Sequence, residues 1–207
     1  MKVAVEFVTI PRDGEKENGD AVLVRRRPGD AEGVFLAVID ALGHGKLAAE
    51  AATVGIAYLQ QVPLAQGLQR VVEGLHDRLR GTRGAAAMLL TLQEGRLEGC
   101  GVGNVGLRSF GGRVPATLTP GVLGGSMNRL RIFQADVAVG DRLVVFSDGI
   151  SIRFDEEATR RTPALATCEA IMQHHRKPHD DATVLVADIE AGHDGPAAKP
   201  PPPLRDL

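Results

Sequence analysis

The chain has too few cysteines for a disulfide framework. Its 207 residues include two, Cys100 and Cys168, and neither belongs to a CxxC spacing or another metal-ligand pattern. This scarcity favours a protein of the reducing cytoplasm, and it excludes a thiolate metal site.

Long hydrophobic runs and an excess of one charge are also lacking. No apolar run approaches the roughly 20 residues that span a bilayer. The N-terminal MKVAVEFVTIPRD shows the alternation typical of a strand, and it has no small-residue cleavage site, which argues against a signal peptide. The net charge of -2, with both signs interspersed, gives no basic field for nucleic acid. We expect a soluble, cytoplasmic, monomeric protein that binds neither membranes nor nucleic acid.

Length and composition predict one domain with a tail. A chain of 207 residues with 43% hydrophobic content can bury a real core. Residues 191–207, AGHDGPAAKPPPPLRDL, are rich in proline, glycine, alanine and charge, which predicts disorder. A polyproline II segment that docks to a partner is the alternative. We therefore assign residues 1–190 to the domain and 191–207 to the tail.

Hydrophobic periodicity predicts strands in runs and helices in blocks, which indicates an α+β fold. From Ala85 onward, period-two alternation between glycine-containing turns predicts a long antiparallel meander. The predicted strands cover 3–10, 20–27, 34–40, 85–92, 97–103, 104–110, 114–119, 129–137, 142–147 and 182–189, and the predicted helices lie within 43–60, 63–81 and 163–175.

Aspartates recur where apolar runs begin or end. The stretch VVFSDGI leads into Asp148, VFLAVID ends in Asp40, NGDAVLV begins at Asp20, and Asp180 with Asp181 precedes ATVLVADI. One such aspartate is usually a turn former or a helix cap. Several in one small domain favour a shared site for a hard divalent cation, because a carboxylate at the rim of a core is costly without a compensating cation or strong donors.

The motifs around these aspartates also carry a family resemblance. They are NGD at 18–20, DALGHG at 40–45, GVGN at 101–104, SDG at 147–149 and DDAT at 180–183. In this order they resemble the metal-dependent Ser/Thr protein phosphatases of type 2C, in their bacterial sporulation and stress-response branch. The stretches RGAAAMLLTL, CGVGNV and PGVLGG look like those of a small stressosome phosphatase of that branch that has no attached sensor domain.

The resemblance implies a four-layer α/β/β/α sandwich of two antiparallel sheets flanked by helices, with two Mn²⁺ or Mg²⁺ ions at one end. Asp40 would bridge the ions, and the main-chain carbonyl of Ala41 would add an oxygen. Asp148 and Asp180 would complete one ligand set, and Asp20 would bind the other ion. The resemblance gives Asp181 a supporting place beside the ligands.

Other residues near these motifs leave alternatives open. His44 is a candidate general acid, although Ala41 and Leu42 precede GHG where larger members of the family have DGHG. Gly43 and Gly45 would allow a tight turn beside the ions. No N-terminal arginine matches the phosphate-binding one of the larger members. A helix end and loop is the favoured interpretation of His174, His175 and His179 over a transition-metal site, and a turn is favoured for Asn104 over direct ligation.

The expected function is hydrolysis of phosphoserine or phosphothreonine by metal-activated water, with Asp40, Asp148 and His44 as the catalytic group. By resemblance, the substrates would be phosphorylated stressosome-type scaffold or anti-sigma-factor antagonist proteins. The alternatives are a catalytically silent phosphoprotein-binding module of the same fold, which retention of all four aspartates disfavours, and a phosphatase of anti-sigma-factor antagonists. A phosphoaspartate-forming phosphatase would need a DxD pattern, and Leu42 stands where the second aspartate should be.

Overall fold

The structure is a computed structural model that describes residues 1–26, 33–151, 159–160 and 162–192. The predicted tail, residues 191–207, lies almost entirely outside the described residues. In the described part of the chain, no helix is long and apolar enough to cross a membrane.

The strands form two antiparallel sheets. The five-stranded sheet has the order β2-β3-β4-β5-β7, and the four-stranded sheet has the order β1-β9-β8-β6. In chain order the strands are β1 (Lys2–Ile10), β2 (Asp20–Arg26), β3 (Val34–Ala41), β4 (Ala85–Gln93), β5 (Arg96–Val102), β6 (Gly106–Phe110), β7 (Phe133–Asp136), β8 (Arg142–Phe146) and β9 (Ala182–Glu190).

Three α-helices of at least 12 residues accompany the described strands: α1 (Lys46–Gln61), α2 (Leu68–Leu79) and α3 (Ala164–His175). The predicted helical spacing in the second segment is confirmed, because Leu68, Val71, Val72, Leu75 and Leu79 are the buried residues of α2. That helix begins later than predicted, since a short 3₁₀ turn, Leu64–Gln66, and Gly67 precede it.

Burial between the sheets determines how they face each other. Alternate residues of both sheets, including Leu36, Met88, Val145 and Leu185, form one apolar layer between them. The other face of the five-stranded sheet packs on α1 and α2, and the other face of the four-stranded sheet packs on α3. This arrangement leaves the strand ends open for a polar site.

The predicted meander is wrong. β5 pairs with β7, whereas β6 pairs with β8 in the other sheet. The turn at Gly103 and Asn104 carries the chain from one sheet to the other, and a period-two pattern is the same in either sheet. Residues 114–119, predicted as a strand, make one isolated bridge, Val102 with Thr119.

The expected four-layer α/β/β/α sandwich also requires correction, in its helical layers. Four strands spaced about 4.8 Å apart are about 19 Å wide, whereas one helix is about 10 Å across. The single helix α3 therefore covers about half of the four-stranded sheet, which is not a complete layer among the described residues. The protein is better described as two facing antiparallel sheets with uneven helical cover.

Candidate carboxylate site

The predicted aspartates meet at one end of the two sheets. Asp20 begins β2 directly opposite Asp40 near the end of β3. Asp148 follows β8, and Asp180 precedes β9, the neighbouring antiparallel strand. Antiparallel pairing places the end of one strand beside the start of the next, so residues far apart in sequence come together here.

Asp20 is deeply buried and only partly hydrogen-bonded. It is 5% exposed, its Oδ2 accepts a 2.6 Å hydrogen bond from the hydroxyl of Ser147, and its Oδ1 has no partner. Burial raises the pKa of Asp20 from 3.8 to about 7, with the Ser147 hydrogen bond opposing the rise and the charges of Asp181 and Asp180 adding to it.

The pKa of Asp40 is raised further than that of Asp20. Burial, followed by the charges of Asp20 and Asp148, raises its pKa from 3.8 to about 8, although a hydrogen bond from the main chain of Asp148 opposes this rise. Its Oδ2 is buried without a partner. Two carboxylates with unpartnered buried oxygens therefore lie side by side, an arrangement that is unfavourable unless a cation or a proton is shared between them.

Asp148 and Asp180 border a cavity of about 330 Å³ together with Asp40. Burial first, and then the charge of Asp180, raise the pKa of Asp148, while the charge of Lys177 lowers it. The side-chain amide of Asn104 donates a 2.5 Å hydrogen bond to Asp148 Oδ2. Asn104 thus does more than form the expected turn, because it also orients a carboxylate of the cluster.

Asp181 supports the site from behind. It is 3% exposed and accepts main-chain N–H bonds from Arg12 at 2.8 Å and Gly19 at 2.9 Å. These contacts hold the segment that leads into Asp20 against the segment that carries Asp180. The structure thus places Asp181 beside the expected ligands, with both oxygens already engaged.

The loop after β3 turns tightly beside the cavity, and Gly43 in this loop lines it. Gly43 and Gly45 have φ of 83° and 70°, which favour glycine, as expected for a tight turn. Ala41, whose carbonyl was expected to be a ligand, is buried at the end of β3. The guanidinium of Arg83 lies where a side chain at Gly43 would begin, so the glycine makes room for it.

The SDG motif has a separate steric requirement. A Cβ at Gly149 would overlap the main-chain carbonyl oxygen of Asp181. Glycine at this position therefore lets the chain after Asp148 pass directly against the segment that holds Asp180, which keeps these two carboxylates together.

The structure does not bring His44 into the cluster. Its ring is 42% exposed, with Nδ1 3.0 Å from Oε1 of Glu15 and Nε2 in contact with the guanidinium of Arg12. It does not line the cavity that Asp40, Asp148 and Asp180 share. The predicted helix end is confirmed for His174 and His175, which lie in the last turn of α3.

The sequence analysis missed one cation beside the carboxylates, Lys177, and an arginine beside the loop after β3, Arg83. Arg83 could have been found from pairing alone, because β4 runs antiparallel to β3 and its first residue, Ala85, lies opposite Ala41. Lys177 donates a 2.5 Å hydrogen bond to the main-chain carbonyl of Asp148. Its position depends on the turn between α3 and β9, for which the sequence had no clear pattern.

The carboxylates are the right type of ligand for divalent cations, although, in the ranges that the structure describes, they are not gathered into a complete coordination shell. Among the described residues, no three Asp, Glu, His or Cys side chains are already gathered as a complete ligand set. The negatively charged aspartates repel one another, and two of their oxygens accept hydrogen bonds from Ser147 and Asn104. The unpartnered oxygens of Asp20 and Asp40 are nevertheless the oxygen donors that Mg²⁺ and Mn²⁺ prefer.

A larger cavity, of about 770 Å³, lies elsewhere, beside β5, β7 and the start of α2. Its lining includes Thr91, Glu98 and Gln134 and none of the expected site residues. We identify the smaller cavity as the candidate site, because the buried unpartnered carboxylates converge there.

Comparison with known proteins gives one relative with enough sequence identity to show a family and others that share only the fold. No family model and no curated protein matches the chain. A solved structure from work describing the bacterial stressosome as a modular system adapted to control secondary messenger signalling is 34% identical, covering 90% of this chain and 100% of that one with a TM-score of 0.82.

Two further solved structures are more distant in sequence. RsbX in complex with magnesium is 18% identical over 91% of this chain and 96% of that one, with a TM-score of 0.77. The serine/threonine phosphatase PstP of Mycobacterium tuberculosis is 18% identical over 92% of this chain and 100% of that one, with a TM-score of 0.68. Identities at this level show a shared fold alone.

These comparisons correct the expected family and activity. The resemblance to type 2C phosphatases, and to RsbX in particular, predicted a hydrolase. The solved structure that is 34% identical comes instead from work on a signalling assembly, the bacterial stressosome, and its description names no hydrolase. The phosphatase prediction is therefore replaced by a coarser statement, in which the chain is related to stressosome signalling. On its 34% identity over nearly the whole chain, the protein belongs to the same family as that stressosome protein.

Proposed function

We propose that the protein is a stressosome-type module that recognises a phosphorylated serine or threonine of a partner through divalent cations held by the carboxylate cluster. The observation that carries this proposal is the pair of buried, unpartnered oxygens, Asp20 Oδ1 and Asp40 Oδ2, on two aspartates whose pKa values are raised by burial and by neighbouring negative charges. Cations would remove both penalties, and bound cations attract phosphate.

The proposed ligand assignment is the one that the motif resemblance implies. Asp40 would be shared by the ions, with the carbonyl of Ala41 as an additional donor. Asp148 and Asp180 would complete the set of one ion, and Asp20 would bind the other. Two structures with the same fold favour Mg²⁺ or Mn²⁺, because RsbX is described in complex with magnesium and PstP with two manganese ions.

A cation-loaded site would attract a phosphate. The bound ions would add positive charge where Lys177 already contributes one, since its Nζ donates to the main-chain carbonyl of Asp148 and its charge opposes the burial-driven rise in the pKa of the Asp148 carboxyl. A phosphate dianion would be attracted to both. The uncharged side chain of an unphosphorylated partner would gain none of this attraction.

The partner class rests on the family. Because the related protein is described with the bacterial stressosome, we propose that the partners are phosphorylated stressosome-type scaffold or anti-sigma-factor antagonist proteins. A module of this kind would report the phosphorylation state of the assembly by binding.

The test is fluorescence anisotropy with a labelled phosphoserine peptide and its unphosphorylated counterpart, in Mn²⁺, Mg²⁺ or chelator. We expect binding that needs both the phosphate and a divalent cation. Asp40→Asn should abolish it, whereas Asp136→Asn, at an exposed aspartate of β7, should not. Equal binding in chelator would refute the cation-dependent site.

A parallel assay separates recognition from catalysis. The protein is incubated with p-nitrophenyl phosphate and with the same phosphopeptide under each cation, and phosphate release is measured. The proposal predicts no release above that of Asp40→Asn. Metal-dependent release by the wild type that Asp40→Asn lacks would overturn the binding-module proposal in favour of a hydrolase.

A further inference from the structure

A second cavity opens directly beside the carboxylate site. It has a volume of about 440 Å³ and shares two lining residues, Asn104 and Asp148, with the cavity of the cluster. It runs along β6, the edge strand of the four-stranded sheet, and the irregular segment 114–118 forms part of its lining. We call this cavity the flanking cleft.

Apolar side chains form much of the cleft and cations accompany them. Phe146 and Ile150 are almost fully buried, while Leu107 and Leu118 are half-buried. Arg108 and Lys177 also line it, whereas Asp148, at the junction with the cluster, is its one acidic lining residue among those the structure describes. An occupant should therefore combine an aliphatic group with a negative charge.

We propose that the flanking cleft binds the residues next to the phosphorylated side chain of the partner, and that it prefers an aliphatic residue accompanied by an acidic one. This inference rests on the proposed function, because the shared wall makes the occupant of the cleft continuous with a phosphate at the cluster. The volume falls within the range of roughly 300 to 1,000 Å³ that is usual for ligand sites, which is enough for an aliphatic side chain and its backbone.

Lys177 lies at the junction of the two cavities. Its Nζ donates to the carbonyl of Asp148, so its charge is held between the phosphate position and the apolar part of the cleft. Arg108 lies on β6, further along the cleft. Both cations line the same cleft, which places positive charge near an acidic residue that flanks the phosphorylated one.

The experiment uses labelled phosphoserine peptides that differ in the flanking residues: alanines alone, leucine alone, leucine with aspartate, and leucine with lysine. Each is placed on either side of the phosphoserine and titrated with the full chain in Mg²⁺. We expect the leucine-aspartate peptide to bind about tenfold more tightly than the alanine peptide, since burial of one leucine side chain is sufficient for a factor of this size.

Reversing the charge of a residue that lines the cleft tests the proposal without altering its apolar side chains, whose replacement could impair folding. Arg108→Glu should invert the preference, so that the leucine-lysine peptide binds more tightly than the leucine-aspartate peptide. Arg113→Glu, at an exposed arginine that follows β6 and does not line the cleft, should keep the wild-type order. Leu118→Ala should reduce the leucine preference, and circular dichroism checks that each variant is folded.

The outcomes distinguish the two proposals. Phosphate-dependent binding with equal affinity for all flanking sequences, unchanged by Arg108→Glu, would overturn the flanking cleft and leave the proposed function intact. Absence of phosphate-dependent binding by every peptide would overturn both. An inverted charge preference in Arg108→Glu alone would support the cleft as the specificity site.

Discussion

Replacing Asp40 with asparagine should stabilise the protein in the absence of divalent cations. In the unfolded chain this carboxyl ionises near 3.8, whereas in the folded protein its pKa is about 8. Between these values the folded state binds a proton that the unfolded chain does not, so the free energy of unfolding falls as the pH rises through this window. At about 1.4 kcal/mol per pKa unit, the difference corresponds to an upper bound of about 6 kcal/mol above pH 8.

Relaxation and proton sharing within the cluster reduce that bound, so we expect a gain on the order of 2 kcal/mol for Asp40→Asn at pH 9 in chelator. For a chain of this size, that gain corresponds to a rise in Tm of roughly 4 to 8 °C. Near pH 4 the two proteins should differ little, because the wild-type carboxyl is then protonated in the folded state.

The assay is thermal unfolding followed by circular dichroism from pH 4 to 9, with and without Mn²⁺. Addition of Mn²⁺ should raise the Tm of the wild type and leave that of Asp40→Asn unchanged, which reverses their order at high pH. Asp136→Asn is the matched control, because it removes an exposed aspartate. A variant that is less stable than the wild type at pH 9 in chelator would refute the assigned repulsion.

Three further substitutions test the surroundings of the site and an ion pair at the opposite end of β8. Gly43→Ala should destabilise the protein by about 1 to 2 kcal/mol in urea unfolding, because φ is 83° and Arg83 occupies the space of the new side chain. Arg142→Ala should cost about 3 kcal/mol, because it leaves Asp188 without the partner that bonds it at 2.6 and 2.7 Å. Asn104→Ala should weaken Mn²⁺ binding in calorimetry several-fold without a comparable loss of stability, since it orients a ligand carboxylate at an exposed position.

The strands that hold the site could be predicted because the apolar runs and the residues that bound them indicated the same elements. VFLAVID is apolar up to Asp40 and becomes β3, which is buried on both faces, and the apolar start of ATVLVADI becomes β9 in the same way. Glycine and charged residues fixed where these strands begin and end. The convergence of Asp20, Asp40, Asp148 and Asp180 followed from placing carboxylates at those ends.

Sheet membership was less predictable, because strand alternation does not specify a partner. β5 and β6 are separated by a short turn and were expected to pair, yet they belong to different sheets. What separates them is the tertiary burial of Val105, which points into the layer between the sheets. The position of Lys177 likewise depended on tertiary packing and was missed for the same reason.

The activity was the least predictable property, because the motifs predict where the carboxylates meet and not the chemical event at that place. The same aspartates could hold ions that only bind a phosphate or ions that also activate a water, and the two differ by placement within fractions of an ångström. Exposure of His44, with Glu15 and Arg12 at its two ring nitrogens, shows how a motif residue can match a pattern and yet lie outside the cavity.

The cluster also links ligand binding to the stability of the fold. Asp20 belongs to the five-stranded sheet, whereas Ser147, which donates to it at 2.6 Å, follows β8 in the other sheet and itself accepts from the main chain of Thr183 at 2.9 Å. Cations shared by Asp40 and Asp148 would therefore join the same two sheets at the end where carboxylate repulsion now opposes their contact. Because a ligand that binds only the folded state stabilises it in proportion to the logarithm of its concentration, cation supply should control both the rigidity of this end and its affinity for phosphate. Under the proposed function, cation binding would therefore complete the partner-binding surface and stabilise the fold in the same step.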